Sequence, residues 1–307
     1  MRSISASSIR SFCECREKYR LQDVDGWRAI GETEAQSLGK ILHAGLEPFW
    51  RHDETDGPSA MLAAASSHPD YTRLDPYAQA LHRALLVGYH LFWKDQHPYG
   101  PAKTETKFGS VREGYYLSGI IDASVGTDTL VEHKTTTQDI TPGSLYWAKL
   151  SADFQVGMYF EAASALGLKP SVMCYDVIRK PDVEPKRATP IEERKYTKAT
   201  AKEPSRLYAN QRETDESVDE YMARVIAKMS EDPTRYFVRQ EIVRLDHERE
   251  RAAREIDSLA RDMLRVVQDE PQPRTGVANG ACVRCDFVEP CLFGAEMRPD
   301  KFVRRVR

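Results

Sequence analysis

Asp122 closes the run Gly119-Ile120-Ile121-Asp122, and Glu132-His133-Lys134 follows it ten residues on. Gly126-Thr127-Asp128 between them has the composition of a tight turn, so the two segments are expected as adjacent antiparallel strands. That pairing sets Asp122 beside Glu132. Two neighbouring carboxylates repel, and a divalent cation relieves the repulsion. Mg²⁺ and Mn²⁺, which prefer oxygen ligands, suit such a pair. Glu132 and Lys134 stand two apart in a strand and leave the same face. The ammonium can then orient an attacking water or stabilise charge on phosphorus, which is the chemistry of metal-assisted phosphoester hydrolysis. A plain hairpin carrying solvated charges is the competing reading of the same spacing.

Gln155 and Tyr159 are four apart in a predicted helix and share a face, placed to reach a substrate phosphate. His43 lies one helical turn after Gly39, beside an apolar stripe, and offers an imidazole ligand. Glu105, on the first of the predicted strands, is a candidate helper. The cysteines suggest a second centre. Cys282-x-x-Cys285-x5-Cys291 supplies three thiolates, whereas tetrahedral zinc or a [4Fe–4S] cluster takes four ligands, and no Cys or His follows in the tail. Cys15 shares a helical face with Phe12 and Tyr19, and Cys13 points roughly opposite. Cys174, inside a predicted strand, reads as a core thiol.

Several elements must hold these groups. Residues 5–20 read as one helix with Ser5, Ser7 and Ser8 as N-cap candidates. Leu38, Leu42, Leu46 and Phe49 mark a helix over about 34–50, and Tyr77, Leu81, Leu85, Gly88 and Phe92 mark another. Between them, residues 51–69 are polar. The period then drops to two: segments 103–111, 115–125 and 129–135 form a three-stranded meander. Helical spacing returns as far as Gly167, and Ser171–Ile178 is a fourth strand. Residues 179–240 are polar and Pro-interrupted, and 242–268 form a long helix. Four segments follow from this: an N-terminal helix with a cluster ligand (1–33), a core with a helical insertion at 51–101 (34–179), a basic insertion (180–240), and a helix with the cysteines and a basic tail (241–307).

The 307 residues are 41% apolar and 30% charged, enough for a real core. No run approaches the roughly 18 apolar residues of a spanning helix, and no apolar leader precedes Arg10 and Glu14, so a cytoplasmic, reducing setting without membrane partners is expected. A net charge of −3 excludes a bulk polycation and leaves nucleic-acid contact to local patches. Residues 179–212 hold ten Lys/Arg against five acids, with Tyr196 and Tyr208 interleaved for stacking on unpaired bases. Lys195, Tyr196, Lys198 and Arg206 are the DNA-binding candidates there, against the reading of a merely solvated face.

Helix, meander, helix, strand, with Gly-Ile-Ile-Asp, Glu-x-Lys and Gln-x-x-x-Tyr in order, resembles the PD-(D/E)XK nuclease superfamily. The similarity is to its RecB-like branch, which includes CRISPR-associated and AddB-type iron–sulfur exonucleases, and it covers roughly residues 34–179 plus both termini. It implies a restriction-endonuclease-like α/β core with helical insertions and an iron–sulfur-clamped terminal module. His43, Asp122 and Glu132 would be the metal ligands, with the backbone of His133; Lys134 would be catalytic, and Gln155 and Tyr159 would position the strand. One N-terminal cysteine would pair with the C-terminal three, giving Cys15, Cys282, Cys285 and Cys291 as ligands of a [4Fe–4S] cluster. Arg16 follows Cys15 where that pattern usually has Pro, which keeps Cys13 as runner-up and zinc as the alternative metal. The expected function is a Mg²⁺- or Mn²⁺-dependent DNA exonuclease acting on single-stranded or frayed ends. Partners from recombination, repair or CRISPR adaptation are conceivable. The rivals are a non-catalytic DNA-binding subunit of the same fold and a zinc-stabilised hydrolase of small phosphoesters.

Overall fold

The computed structural model describes residues 1–31, 34–52, 57–150, 153–199 and 204–305. It opens with strand β1 (Arg2–Ile4). Ser5 then caps helix α1 (Ala6–Glu14), exchanging side-chain and backbone hydrogen bonds with Ser8. Cys15 is extended, at φ −161° and ψ 120°, and the helix restarts as α2 (Arg16–Tyr19), which runs into a π-turn over Arg20–Val24. The single helix expected over 5–20 is therefore broken at Cys15. The break is held from far along the chain: Asn279 Nδ2 donates to the Glu14 carbonyl at 2.9 Å, and the Arg16 N–H donates to Thr275 Oγ1 at 3.3 Å.

Strand β2 (Trp27–Ala29) and helices α3 (Glu34–Arg51), α4 (Ser59–Ser66) and α5 (Pro76–Trp93) follow. The polar stretch expected over 51–69 thus contains a helix, and residues 53–56 lie outside the described residues. The meander is β3 (Ala102–Arg112), β4 (Tyr115–Val125) and β5 (Thr129–Thr136). Its turns use Gly114 and Gly126 at φ +85° and +57°, which glycine adopts without steric cost. After α6 (Leu145–Leu150), Asp153 caps α7 (Phe154–Ala165) by accepting from the Gln155 N–H. The chain continues through β6 (Val172–Arg179), α8 (Val218–Glu231), β7 (Phe237–Val243), α9 (Asp246–Leu264), α10 (Gly276–Asn279), α11 (Val288–Phe293) and β8 (Phe302–Arg304). The polar 180–240 segment therefore contains α8 and the start of a strand, and the helix expected from 242 begins only at Asp246.

Six strands form the main sheet, in the order β1-β4-β5-β6-β7 with β3 also on β4. Strand β3 runs antiparallel along the length of β4. The other edge of β4 is shared: β1 pairs in parallel with Tyr115–Leu117, and β5 pairs antiparallel with Ala123–Val125. β5 and β6 are parallel, and β7 is antiparallel to β6. Four strands were expected from the sequence; β1 and β7 extend the sheet into both flanking segments. One apolar layer on the sheet includes Ile9, Phe12, Val156, Phe160, Ile256 and Met263 from α1, α7 and α9. The other includes Leu42, Trp50, Leu85, Tyr89, Val225 and Met229 from α3, α5 and α8. A small third cluster of Leu21, Phe287 and Phe302 joins the two ends of the chain, beside the antiparallel pair β2–β8. Among the described residues, no helix is long and apolar enough to cross a membrane.

Candidate active site

The β4–β5 ladder pairs Ala123 with Val131 and stops there. The next pair in that register is Asp122 and Glu132. At this point the His133 N–H donates to Asp122 Oδ2, at 2.8 Å, instead of to a backbone carbonyl. The strands part where the two carboxylates stand. Strand β3 is perturbed at the same level. Its pairing with β4 joins Thr104 to Ala123 and Thr106 to Ile121, and Glu105 between them has φ +49°, a left-handed conformation that costs a side-chain-bearing residue about 1–2 kcal/mol. The facing of β4 also changes here: Leu117 and Ile121 enter one apolar layer and Ala123 the other, although all three are odd-numbered. Asp122 sits at the crossover, able to look toward both layers.

On the α7 side, Glu132 is buried and Lys134 forms an ion pair with its Oε1. Gln155 clamps the pair, accepting from Lys134 Nζ at 2.9 Å and donating to Glu132 Oε1 at 2.6 Å and to Tyr159 OH at 2.8 Å. Burial and then the Glu132 charge raise the Tyr159 pKa, so the phenol stays protonated. The expected Gln155–Tyr159 face thus exists, but here it engages the acid and the lysine. Glu132 Oε2 has no hydrogen-bond partner, nor has the buried hydroxyl of Tyr175, the register partner of Glu132 on β6.

On the α3 side, His43 Nδ1 stands 3.7 Å from Asp122 Oδ1, and its ring meets that of His133 edge-on at 5.7 Å. Burial, with His133 and Lys134 close by, holds His43 well below the usual imidazole pKa, leaving a neutral ring with a free lone pair. Burial, followed by the Glu132 charge, lifts Asp122 well above the usual carboxylate range; the His133 N–H and Lys134 oppose the rise. The His133 imidazole leaves the opposite face from Glu132 and bonds Asp176 Oδ2 at 3.1 Å. Its part in any metal site is therefore confined to its backbone.

His43, Glu105 and Asp122 offer ligand atoms all within 4.8 Å of one another. Glu132, expected as a ligand, stands outside that group, and its Oε2 has no hydrogen-bond partner. Three crowded carboxyl groups and a neutral imidazole offer O and N donors, and the raised pKa of Asp122 and of Glu105 reflects burial and mutual repulsion that a hard divalent cation would relieve. The model of the PD-(D/E)XK nuclease superfamily matches residues 3–292. The chain belongs to the PD-(D/E)XK nuclease superfamily. This nuclease is also similar in fold to a solved structure from Eubacterium rectale named "Putative exonuclease", with a TM-score of 0.54 and 10% identity over 97% of this chain and 90% of that one. A second solved structure, SSO0001, gives a TM-score of 0.34 and 16% identity over 87% of this chain and 98% of that one. No curated protein matches the sequence.

The nuclease also gathers its distant cysteines. Cys15, at the helix break, lines one apolar pocket with Cys282, Cys285 and Cys291, together with Leu21 and Phe287. Cys15 is buried and Cys13 exposed. A Cβ on Gly276 would lie 3.2 Å from Cys15 Cβ and 3.4 Å from the sulfurs of Cys15 and Cys282, so the glycine keeps the space between the thiols clear. Burial raises the pKa of Cys285 and of Cys291; Lys18 counters it at the first and Arg274 at the second.

Lys195, Tyr196, Lys198 and Arg206 are exposed on a ribbon closed by the Tyr196–Leu207 bridge, whose residues 200–203 lie outside the described residues. Glu216 ties this ribbon to α8, accepting from the Lys186 N–H at 2.9 Å and from Arg224 Nε at 2.7 Å. Glu105, a candidate helper from the sequence, stands in the group with His43 and Asp122, and the buried Asp176 was not singled out from the sequence. The signal for Asp176 was a lone acid in the apolar run Val172–Ile178, where a charge must have a buried partner.

Proposed function

We propose that this PD-(D/E)XK nuclease is a Mg²⁺- or Mn²⁺-dependent DNA exonuclease acting on single-stranded or frayed ends, its two termini clamped by a [4Fe–4S] cluster. The parting of β4 and β5 at Asp122 and Glu132 carries the reading, because it leaves two buried carboxylates side by side, with Lys134 paired to one of them. His43, Glu105 and Asp122 would hold the ion, with Glu132 joining through its unpaired oxygen. Bound there, a divalent cation supplies charge stabilisation at the phosphodiester and a more acidic water. Glu132 and Gln155 fix the Lys134 ammonium on the α7 side, where it can donate to the attacking water or a phosphoryl oxygen. Tyr159, kept protonated, holds Gln155 in place. The Eubacterium rectale neighbour's name supports the exonuclease choice, and the exposed basic ribbon with Tyr196 supports a nucleic-acid polymer.

For the cluster, the four thiols converge on one apolar pocket. Zn–S bonds of about 2.3 Å would hold four tetrahedral sulfurs about 3.8 Å apart. The four groups that meet there are all thiols, which supports the wider iron–sulfur cage over zinc. The test compares linear and covalently closed circular single-stranded DNA, each with Mg²⁺, Mn²⁺ or EDTA. The reading expects metal-dependent loss of the linear strand from an end with the circle spared; cutting of the circle at the same rate would overturn the exonuclease assignment.

A further inference from the structure

Asp176 and Arg239 are register partners on β6 and β7, with side chains 0% and 6% exposed and Nε 3.0 Å from Oδ1. Removing two charges from water costs about as much as their attraction returns, and apolar replacements of such pairs are often as stable. Stability alone therefore gives a weak reason for this pair. Its neighbours give a better one. Asp176 Oδ2 accepts from His133 Nδ1 at 3.1 Å, from Trp50 Nε1 at 3.3 Å and from Tyr89 OH. Arg239 Nη2 donates to Tyr89 OH at 2.6 Å, and its guanidinium lies 4.6 Å from the Trp50 ring centre.

Two of these neighbours belong to the metal-binding elements. His133 stands between Glu132 and Lys134, and its N–H holds Asp122. Trp50 is two helical turns after His43 on α3. Where β5 leaves β4, its ladder is one-sided, so the side chain of His133 anchors it across the sheet. We propose that the Asp176–Arg239 pair is a positioning device: Asp176, as shared acceptor for β5 and α3, sets His43 against Asp122 and Glu132 at the spacing a divalent cation needs. This rests on the metal-site reading above.

The test is Mn²⁺ binding to the metal-free protein, by calorimetry and by the metal-induced rise of the unfolding midpoint, well below that midpoint. Asp176→Leu with Arg239→Met removes both charges and puts apolar side chains in their place. It should stay folded by circular dichroism and bind Mn²⁺ about 10–100-fold more weakly, as loss of an outer anchoring group generally does. Trp50→Phe keeps both charges and removes the indole N–H that α3 shares between Asp176 and Tyr89, at 3.3 and 3.0 Å, and should weaken binding less, in the same direction; it carries the test if the double variant does not fold. Folded variants that bind Mn²⁺ like wild type, whatever their midpoints, would make the pair merely structural and overturn the proposal. A wild-type protein that binds no Mn²⁺ would overturn the metal-site reading itself.

Discussion

Glu132, Lys134 and Gln155 close a small ring of hydrogen bonds, and Asp122 is the next residue of β4 in register with Glu132. Lys134 touches Glu132 through one oxygen only, so its removal leaves the carboxylates in place. Lys134→Ala should lower the turnover of DNA by roughly a hundredfold while Mn²⁺ affinity changes little, the effect being on charge that develops in the reaction. Loss of Mn²⁺ binding in that variant would make the lysine a structural prop. Asp122 links the site to stability. Its pKa in the folded chain is raised above the ordinary 3.8, so the fold favours the protonated acid; this group's contribution is greatest below about pH 4 and is lost as pH rises through the raised value. Asp122→Asn should therefore melt above metal-free wild type at neutral pH, with the gap narrowing on acidification. Equal midpoints at neutral pH would show that the carboxylate is not under strain. A turn of Gly126-Thr127-Asp128 fixes the register that sets Asp122 opposite Glu132, so this part of the site was legible from local sequence. The partner of Asp176 was not: Arg239 lies 63 residues away and meets it only through the pairing of β6 with β7.

At the scale of elements, the meander works through a missing side chain. Gly119 stands opposite Phe108, and a Cβ there would come within 2.6 Å of the Phe108 ring. The ring lies over the glycine and meets Tyr159 edge-on at 5.8 Å, so β3 braces the face of α7 that carries the Gln155 clamp. Gly119→Ala should push Phe108 toward Tyr159 and cost about 1–3 kcal/mol of stability, read from chemical denaturation. A variant as stable as wild type would show that the ring has room to move. The order of helices and strands followed from apolar period, and the meander strands expected at 103–111, 115–125 and 129–135 lie within one residue of those observed. Two features did not follow from it. The left-handed Glu105 interrupts a run whose alternation reads as an ordinary strand. The break at Cys15 leaves no Gly or Pro in the sequence, because its exposed backbone groups are satisfied by Thr275 and Asn279 from the other end of the chain.

For the whole molecule, the ends of the chain are bound into the structure three times: β1 in the main sheet, β2 with β8, and Cys15 beside the C-terminal cysteines. A cluster at those thiols would add to the β2–β8 pair, the hydrogen bonds of Thr275 and Asn279, and the small apolar patch of Leu21, Phe287 and Phe302 that already join these segments. Purified without oxygen, the protein should be brown, with about four irons per chain and a visible absorption that dithionite bleaches. Cys15→Ser should lose the iron and Cys13→Ser keep it; the reverse result, or one zinc in a colourless protein, would displace the cluster assignment. The C-terminal triplet was legible from its spacing, and the resemblance with the face shared by Phe12, Cys15 and Tyr19 pointed to Cys15, which lines the same pocket; the backbone break at Cys15 was not legible. Asp122, Glu132 and Lys134 together are proposed as a metal-dependent nuclease site. Its most direct test is cleavage of end-labelled single-stranded DNA by the anaerobically purified protein and by Glu132→Gln, each with Mn²⁺ and with EDTA. Degradation by wild type with Mn²⁺ alone, and none by the variant, is the predicted result; degradation that survives in Glu132→Gln or in EDTA would contradict it.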